Sequence, residues 1–172
     1  MTTLDEIRTR FTDQLQFVDD VAQVILKGHL VMEEIMTESI RSFVHHGDLL
    51  EECRLQFHQK LQLCKAMSVS DQNNEMWNLI SSINALRNHL SHSLDAATRH
   101  KRIAALEAKF SQQFADGVPE NLAEMPKDTA ICMLAIAGAI GYLHAHLEEV
   151  QRFREVVVQM DRVWNTGKLG EA

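Results

Sequence analysis

Apolar residues recur at steps of three and four along most of this chain, which is the pattern of amphipathic α-helices. The helices that this pattern predicts cover residues 4–44 with a break near 17–20, 48 to about 67, 75 to about 92, 95 to about 114, and 128 to about 163. No segment alternates polar and apolar residues for long enough to predict a strand. We therefore expect an all-α fold, a single-domain bundle of five or six helices.

The predicted domain covers residues 1–165, and residues 166–172 are expected to form a flexible tail. Gly28 interrupts an otherwise good helix at a cost of roughly 1 kcal/mol relative to Ala, which predicts a close helix crossing at that position. The three cysteines lie in helix-like segments and form neither a disulfide framework nor a CxxC site. We expect them to be reduced and buried.

The formal net charge of −7 argues against broad, non-specific binding of nucleic acid, but the charge is unevenly spread. The segment 53–110 holds 8 Lys/Arg against 4 Asp/Glu and is the only net-positive third of the chain. The N-terminus lacks the apolar stretch of a signal peptide, and the uncharged run 130–147 is short for a membrane span. We expect a soluble, cytoplasmic protein.

The candidate chemistry lies in LRNHLSH, residues 86–92, at the end of the clearest apolar stripe. The spacing alone is weak evidence, because Arg41 and His46 repeat it. Arg87 lies about 40° from Ile83, the centre of the stripe, whereas His92 lies about 180° away. A straight helix would therefore not bring Arg87 and His92 together, so we expect the helix to deform or a second subunit to complete the site.

Three segments carry a resemblance to a known family: GHLVMEE (28–34), FHQKLQL (57–63) and MWNLISSINALRNHLSH (76–92). Over roughly residues 20 to 115 the chain resembles the HEPN superfamily, and most closely its mannitol-operon-repressor-like branch. In HEPN ribonucleases an Arg-Asn-x-x-x-His element forms a metal-independent active site at a dimer interface. The resemblance implies that Arg87, Asn88 and His92 are catalytic, with no cofactor. The toxin branch often has Tyr two residues after the His, where this chain has Leu94.

The residue types suit cleavage of RNA through its own 2′-OH. An imidazole can act as base or acid near neutral pH, and a guanidinium binds phosphate with a planar fork. Asn88, four residues before His92, is positioned to orient the imidazole. Arg99, Lys101 and Arg102 follow closely and are candidates for holding the RNA backbone, with a solvated helix face as the alternative.

Three functions remain open at this point. The first is a homodimeric endoribonuclease, as a toxin or phage-defence component with an RNA substrate and a cognate antitoxin. The second is a non-catalytic regulatory or scaffolding protein that binds a protein or nucleotide partner. In the third, Arg87 is structural and pairs with Glu33 or Glu34. His89 and His92 lie one turn apart, but nothing nearby completes a metal site, so no metal is expected.

Overall fold

The structure is a computed structural model that describes residues 20–50, 52–69, 74–93, 95–113 and 125–165. Within these ranges the chain forms five α-helices and no strand, so the predicted all-α bundle is confirmed. The helices are α1 (Asp20–Phe43), α2 (Phe57–Met67), α3 (Glu75–His92), α4 (Ala96–Gln113) and α5 (Lys127–Asn165), with a 3₁₀ turn at Gly47–Leu50. The predicted first short helix, residues 114–124 between the last two helices, and the tail fall outside the described residues.

Helices α1 and α5 pack in parallel, and α3 runs antiparallel to α5. Gly28 of α1 faces Ile136 of α5, and Phe43 stacks on Phe153 with ring centroids 6.4 Å apart. Trp77, near the start of α3, meets His146 edge to face at 5.6 Å. Asn84, further along α3, bonds His29 beside the Gly28–Ile136 contact, so the end of α3 lies toward the start of α5. The last turns of α1 lie beside the second half of α5.

Gly28 allows the α1–α5 crossing that its position predicted. A Cβ built at this residue would lie 2.5 Å from Ile136 Cδ1, closer than carbon atoms pack. The cost of glycine in a helix is thus offset by the close approach of the two longest helices of the described chain. All five helices contribute to one cluster of buried side chains, in which Ile25, Leu61, Ile83, Leu106 and Leu143 are almost completely buried.

The predicted helix from residue 48 is wrong over its first half. Helix α2 begins at Phe57, after a 3₁₀ turn and an exposed turn in which Arg54 has φ of 47°. A left-handed residue cannot continue a right-handed helix, so Arg54 prevents the two segments from merging. The start at Phe57 is fixed instead by Gln59, whose side-chain oxygen accepts from the backbone N–H of Gln56 at 2.8 Å.

The cysteines differ from one another in exposure. All three are free thiols; Cys64 and Cys132 are buried as expected, whereas Cys53 is exposed. The expected burial of Cys53 is wrong because that residue lies in the turn before α2 and not in a helix. Burial raises the pKa of the Cys64 thiol to about 12, so this thiol stays protonated at neutral pH.

Helix α5 contains an 18-residue window that is long and apolar enough to cross a membrane by length and composition alone, and 44% of that window is buried within the bundle. The core helix of a soluble protein meets the same criterion.

Candidate functional site

Helix α3 carries the candidate residues and has the predicted bounds. Asn74 caps its start by accepting from the Met76 backbone N–H at 2.9 Å, and its stripe of apolar residues faces the core. The helix is α-helical without interruption to His92. Five residues correspond to about 140° around the axis, so Arg87 and His92 point in different directions. One chain does not bring them together, and the deformation considered from the sequence is absent within α3.

The Arg87 side chain is half-buried, and its guanidinium has one neighbouring acceptor. Arg87 Nη1 donates to Asn88 Oδ1 at 3.2 Å, while the buried Nε has no hydrogen-bond partner among the described residues. No carboxylate of the described chain lies within ion-pair distance of Arg87. Glu33 pairs with Lys60 instead, at 2.8 Å. The guanidinium therefore keeps unused N–H donors, and an anionic ligand is a suitable acceptor for them.

Behind Arg87 lies a polar contact between α1 and α3 that the sequence did not predict. His29 is 4% exposed, stacks on Phe57 at 4.0 Å, and its Nε2 donates to Asn84 Oδ1 at 3.0 Å. Burial lowers the pKa of His29, and the positive charge of Arg87 lowers it further, against the effect of the Asn84 hydrogen bond. His29 is therefore neutral at pH 7, and it lies among three charged residues, since Glu33 Oε2 is 3.9 Å from its Nδ1 and pairs with Lys60.

His92 occupies the last position of α3 and is exposed to solvent. Asn88 is bonded to Arg87 and not to His92, so the expected role of Asn88 in orienting the imidazole is not seen within one chain. The neighbouring His89 is held by Asp95, whose backbone carbonyl lies 3.1 Å from His89 Nε2. An exposed imidazole is accessible to a ligand and can exchange a proton with it.

The candidate RNA-backbone residues lie on the first turns of α4. Asp95 caps this helix, because its Oδ1 accepts from the Ala97 N–H at 3.1 Å. Lys101 and Arg102 are exposed, whereas Arg99 is half-buried. Lys101 lies about 160° from Arg99 around the helix. The three residues thus form no single basic face, which favours a solvated surface over a continuous clamp.

The second match to the Arg–His spacing has a different setting. Helix α1 ends at Phe43, so His46 lies outside it, and Arg41 lies within 3.8 Å of Glu38. The two residues of this pair therefore do not share a helix, unlike Arg87 and His92. They provide a matched control for experiments on α3.

Within the described ranges, no group of three or more His, Cys, Asp or Glu side chains is placed to hold a metal ion. The two histidines of α5 lie two residues apart and differ in exposure. His144 is exposed and lies 3.6 Å from Glu148, while His146 is 4% exposed and both its ring nitrogens lack partners among the described residues. Burial lowers the pKa of His146, so it too is neutral at pH 7.

Comparisons with protein-family models, with curated proteins and with solved structures found no match to this chain.

Proposed function

We propose that the protein is a HEPN-type, metal-independent endoribonuclease that acts as a homodimer in the cytoplasm, in a toxin or phage-defence setting. The observation that carries the proposal is the arrangement of α3. This helix presents an Arg87 guanidinium with unused donors and an accessible His92 imidazole on different sides. A catalytic pair of this kind becomes complete when the Arg87 of one chain meets the His92 of another.

The chemistry assigns a role to each residue. Cleavage through the 2′-OH needs a base for that hydroxyl, an acid for the leaving 5′-oxygen, and positive charge near the phosphorane. Two His92 residues in a two-fold dimer supply the base and the acid. Arg87 supplies the charge, and Asn88 holds its guanidinium through the bond to Nη1. Arg99, Lys101 and Arg102 remain proposed contacts to the RNA backbone, acting as separate charges.

Incubation of the full chain with RNA in the presence of EDTA tests this proposal. We expect cleavage by the wild type and its loss in both Arg87→Ala and His92→Ala. The matched controls are Arg41→Ala and His46→Ala, which remove the same residue types at the same spacing and should leave cleavage unchanged. Cleavage that survives in either α3 variant would contradict the proposal, and so would equal loss in the control variants.

One observation favours the second candidate, a non-catalytic regulatory or scaffolding protein. The last part of α5 exposes a large apolar surface, in which Phe153 is 57% and Trp164 is 77% exposed. Such surfaces on soluble proteins mark interaction sites. This candidate predicts no cleavage by the wild type and a stoichiometric complex with an antitoxin-like or regulatory protein.

A further inference from the structure

Helix α5 continues well beyond the bundle that buries its first half. Its 39 residues span about 58 Å. Val150 is the last buried residue, and every residue from 151 to 164 is exposed. This exposed part is rich in large apolar side chains, so it is not built as a solvated helix. The apolar residues concerned are Phe153, Val156, Val157, Val158, Met160, Val163 and Trp164.

The exposed residues continue the register of the buried ones. The buried face of α5 advances in alternating steps of four and three residues through Cys132, Ile136, Ala139, Leu143, His146 and Val150. The same alternation continues through Phe153, Val157, Met160 and Trp164, which we call the distal stripe. A hydrophobic repeat of 3.5 residues is the pattern of a helix that packs against another helix in a coiled coil. The distal stripe has this pattern, and although Phe43 of α1 stacks on Phe153 at its base, all four of its residues remain exposed.

We propose that the distal stripe packs against the distal stripe of a second copy of this chain, with the two α5 helices antiparallel. Placing the two-fold axis between Val158 and Gln159 sets Val157 opposite Met160 of the second copy. The same axis sets Phe153 opposite Trp164. Each of these contacts occurs twice, because the interface is the same patch on both chains.

The flanking residues fit this register. In an antiparallel pair, positions on the same flank of the stripe face each other, and this axis sets Arg154 opposite Asp161 of the second copy. Because of the two-fold symmetry, this ion pair between Arg154 and Asp161 forms twice. On the other flank, Val156 faces Val163 of the second copy. This flank carries no charge, so it extends the apolar contact of the stripe. The distal part of α5 is thus complementary to a second copy of itself running in the opposite direction. This complementarity points to a second copy as the partner that covers the stripe.

A hollow at the base of the distal stripe accommodates the end of the second helix. It has a volume of about 480 Å³ and is lined by Phe43, Met67, Val150 and Phe153, among others. The proposed register brings Trp164 of the second copy to this level. A parallel pair would instead place the two bundles side by side at the base of the stripes, next to Val150, whose side chain is already covered by its own bundle at 4% exposure. The antiparallel arrangement also keeps the two bundles at opposite ends.

This interface is separate from the proposed catalytic pair and does not depend on it. Asn84 of α3 bonds His29 beside the Gly28–Ile136 crossing, so the second half of α3 lies at or beyond the level of Ile136. Ile136 is about 34 Å along α5 from the proposed axis, which holds the two α3 sites roughly 70 Å apart. The ribonuclease would need another contact to join them, so either proposal can fail without the other.

Sedimentation velocity of the full chain tests the interface. The protein concentration is varied from about 1 to 100 µM, a range that covers a dimer with a Kd of roughly micromolar size. We expect a concentration-dependent dimer that Met160→Glu weakens by at least about tenfold in Kd, because the variant places a carboxylate against Val157 of the second copy. The control is Gln159→Glu, which adds the same charge one position away on the outer side of α5. A wild type that stays monomeric at 100 µM, or equal effects of the two variants, would overturn the proposal.

Charge exchange tests the register. Asp161→Arg places two Arg residues opposite each other, and Arg154→Asp places two acids opposite each other, so each variant alone should dimerise more weakly. An equimolar mixture restores both ion pairs and should form heterodimers more strongly than either variant forms homodimers. A mixture no stronger than its components would overturn the antiparallel register. Thermal unfolding of each variant checks the fold, since Arg154 Nη1 also donates to the Ser42 carbonyl at 3.0 Å.

Tryptophan fluorescence distinguishes a second copy from coverage by the chain's own residues. Trp77 is buried, while Trp164 is 77% exposed. We expect the emission to shift to shorter wavelength as the protein concentration rises, and we expect Trp164→Phe to abolish this shift. A Trp164 that is shielded from acrylamide in a monomer would show that the same chain covers the stripe, and this result would overturn the proposal.

Discussion

The two buried histidines predict opposite effects of the same substitution. His29 and His146 are each 4% exposed, but His29 bonds Asn84, whereas neither nitrogen of His146 has a partner among the described residues. An unpartnered buried donor or acceptor costs about 1–3 kcal/mol. His146→Leu removes two such groups and loses an edge contact with Trp77 that contributes about 0.5–1.5 kcal/mol. We therefore expect His146→Leu to stabilise the protein, by about 0.5 kcal/mol or more.

The matched variant His29→Leu should destabilise the protein by about 1–3 kcal/mol. It removes the donor to Asn84 Oδ1 and leaves that oxygen without this bond in a half-buried position. Urea unfolding followed by circular dichroism at pH 7.5 measures both variants. For a chain of this size, 1 kcal/mol corresponds to a Tm change of about 2–4 °C. Destabilisation by both substitutions to a similar extent would refute the reasoning.

The pH dependence of stability gives a second check on the same residues. Burial lowers the pKa of His146 below its usual value of 6.5, so below that pH the unfolded chain binds the proton more readily than the folded chain does. The stability associated with neutral His146 is complete above pH 6.5 and is lost as the pH falls toward the folded-state pKa. His146→Leu should reduce the slope of the free energy of unfolding against pH just below pH 6.5, where one proton contributes at most about 1.4 kcal/mol per pH unit. An unchanged slope would show that His146 is not buried as described.

Two further predictions concern the packing of α1 and the reactivity of the thiols. Gly28→Ala should destabilise the protein by about 1 kcal/mol, because an overpacking cost of about 1–3 kcal/mol against Ile136 exceeds the gain in helix propensity. A rise in Tm would contradict the close crossing of α1 and α5. In the native protein at pH 8, a thiol reagent should label the exposed Cys53 rapidly and the buried Cys64 only on unfolding. Peptide mass spectrometry measures the labelling of each cysteine. Equal labelling of the two thiols would contradict the burial of Cys64.

The helices with strong periodicity were predictable from the sequence, and the segment before α2 was not. The stripe through Met76, Ile83 and Leu86 fixes both the type and the bounds of α3, because these residues are buried against the other helices. Leu50 and Leu55 mimic the same periodicity before α2, but Arg54 adopts a left-handed conformation between them. Periodicity does not report backbone dihedral angles. The spacing of Gln56 and Gln59, which bond across the start of α2, is the local signal for its true beginning.

The placement of the candidate residues on α3 was predictable from the sequence, but their contacts were not. The divergence of Arg87 and His92 follows from helical geometry and was predicted from their spacing. The contact between His29 and Asn84 joins residues 55 positions apart, so it depends on how α1 and α3 pack and leaves no local pattern. Likewise, the choice of Asn88 between Arg87 and His92 is decided by side-chain rotamers on the helix surface, which spacing does not specify.

The chemistry of the RNA ends tests the central claim most directly. If Arg87 and His92 cleave RNA through its own 2′-OH, the products formed in EDTA should carry 2′,3′-cyclic phosphate and 5′-hydroxyl ends. The same oligonucleotide with a 2′-deoxy residue at the cleavage site should remain intact, and His92→Ala should leave both substrates uncut. Products with 5′-phosphate ends, cleavage of the deoxy-substituted site, or activity that EDTA abolishes would contradict the proposal.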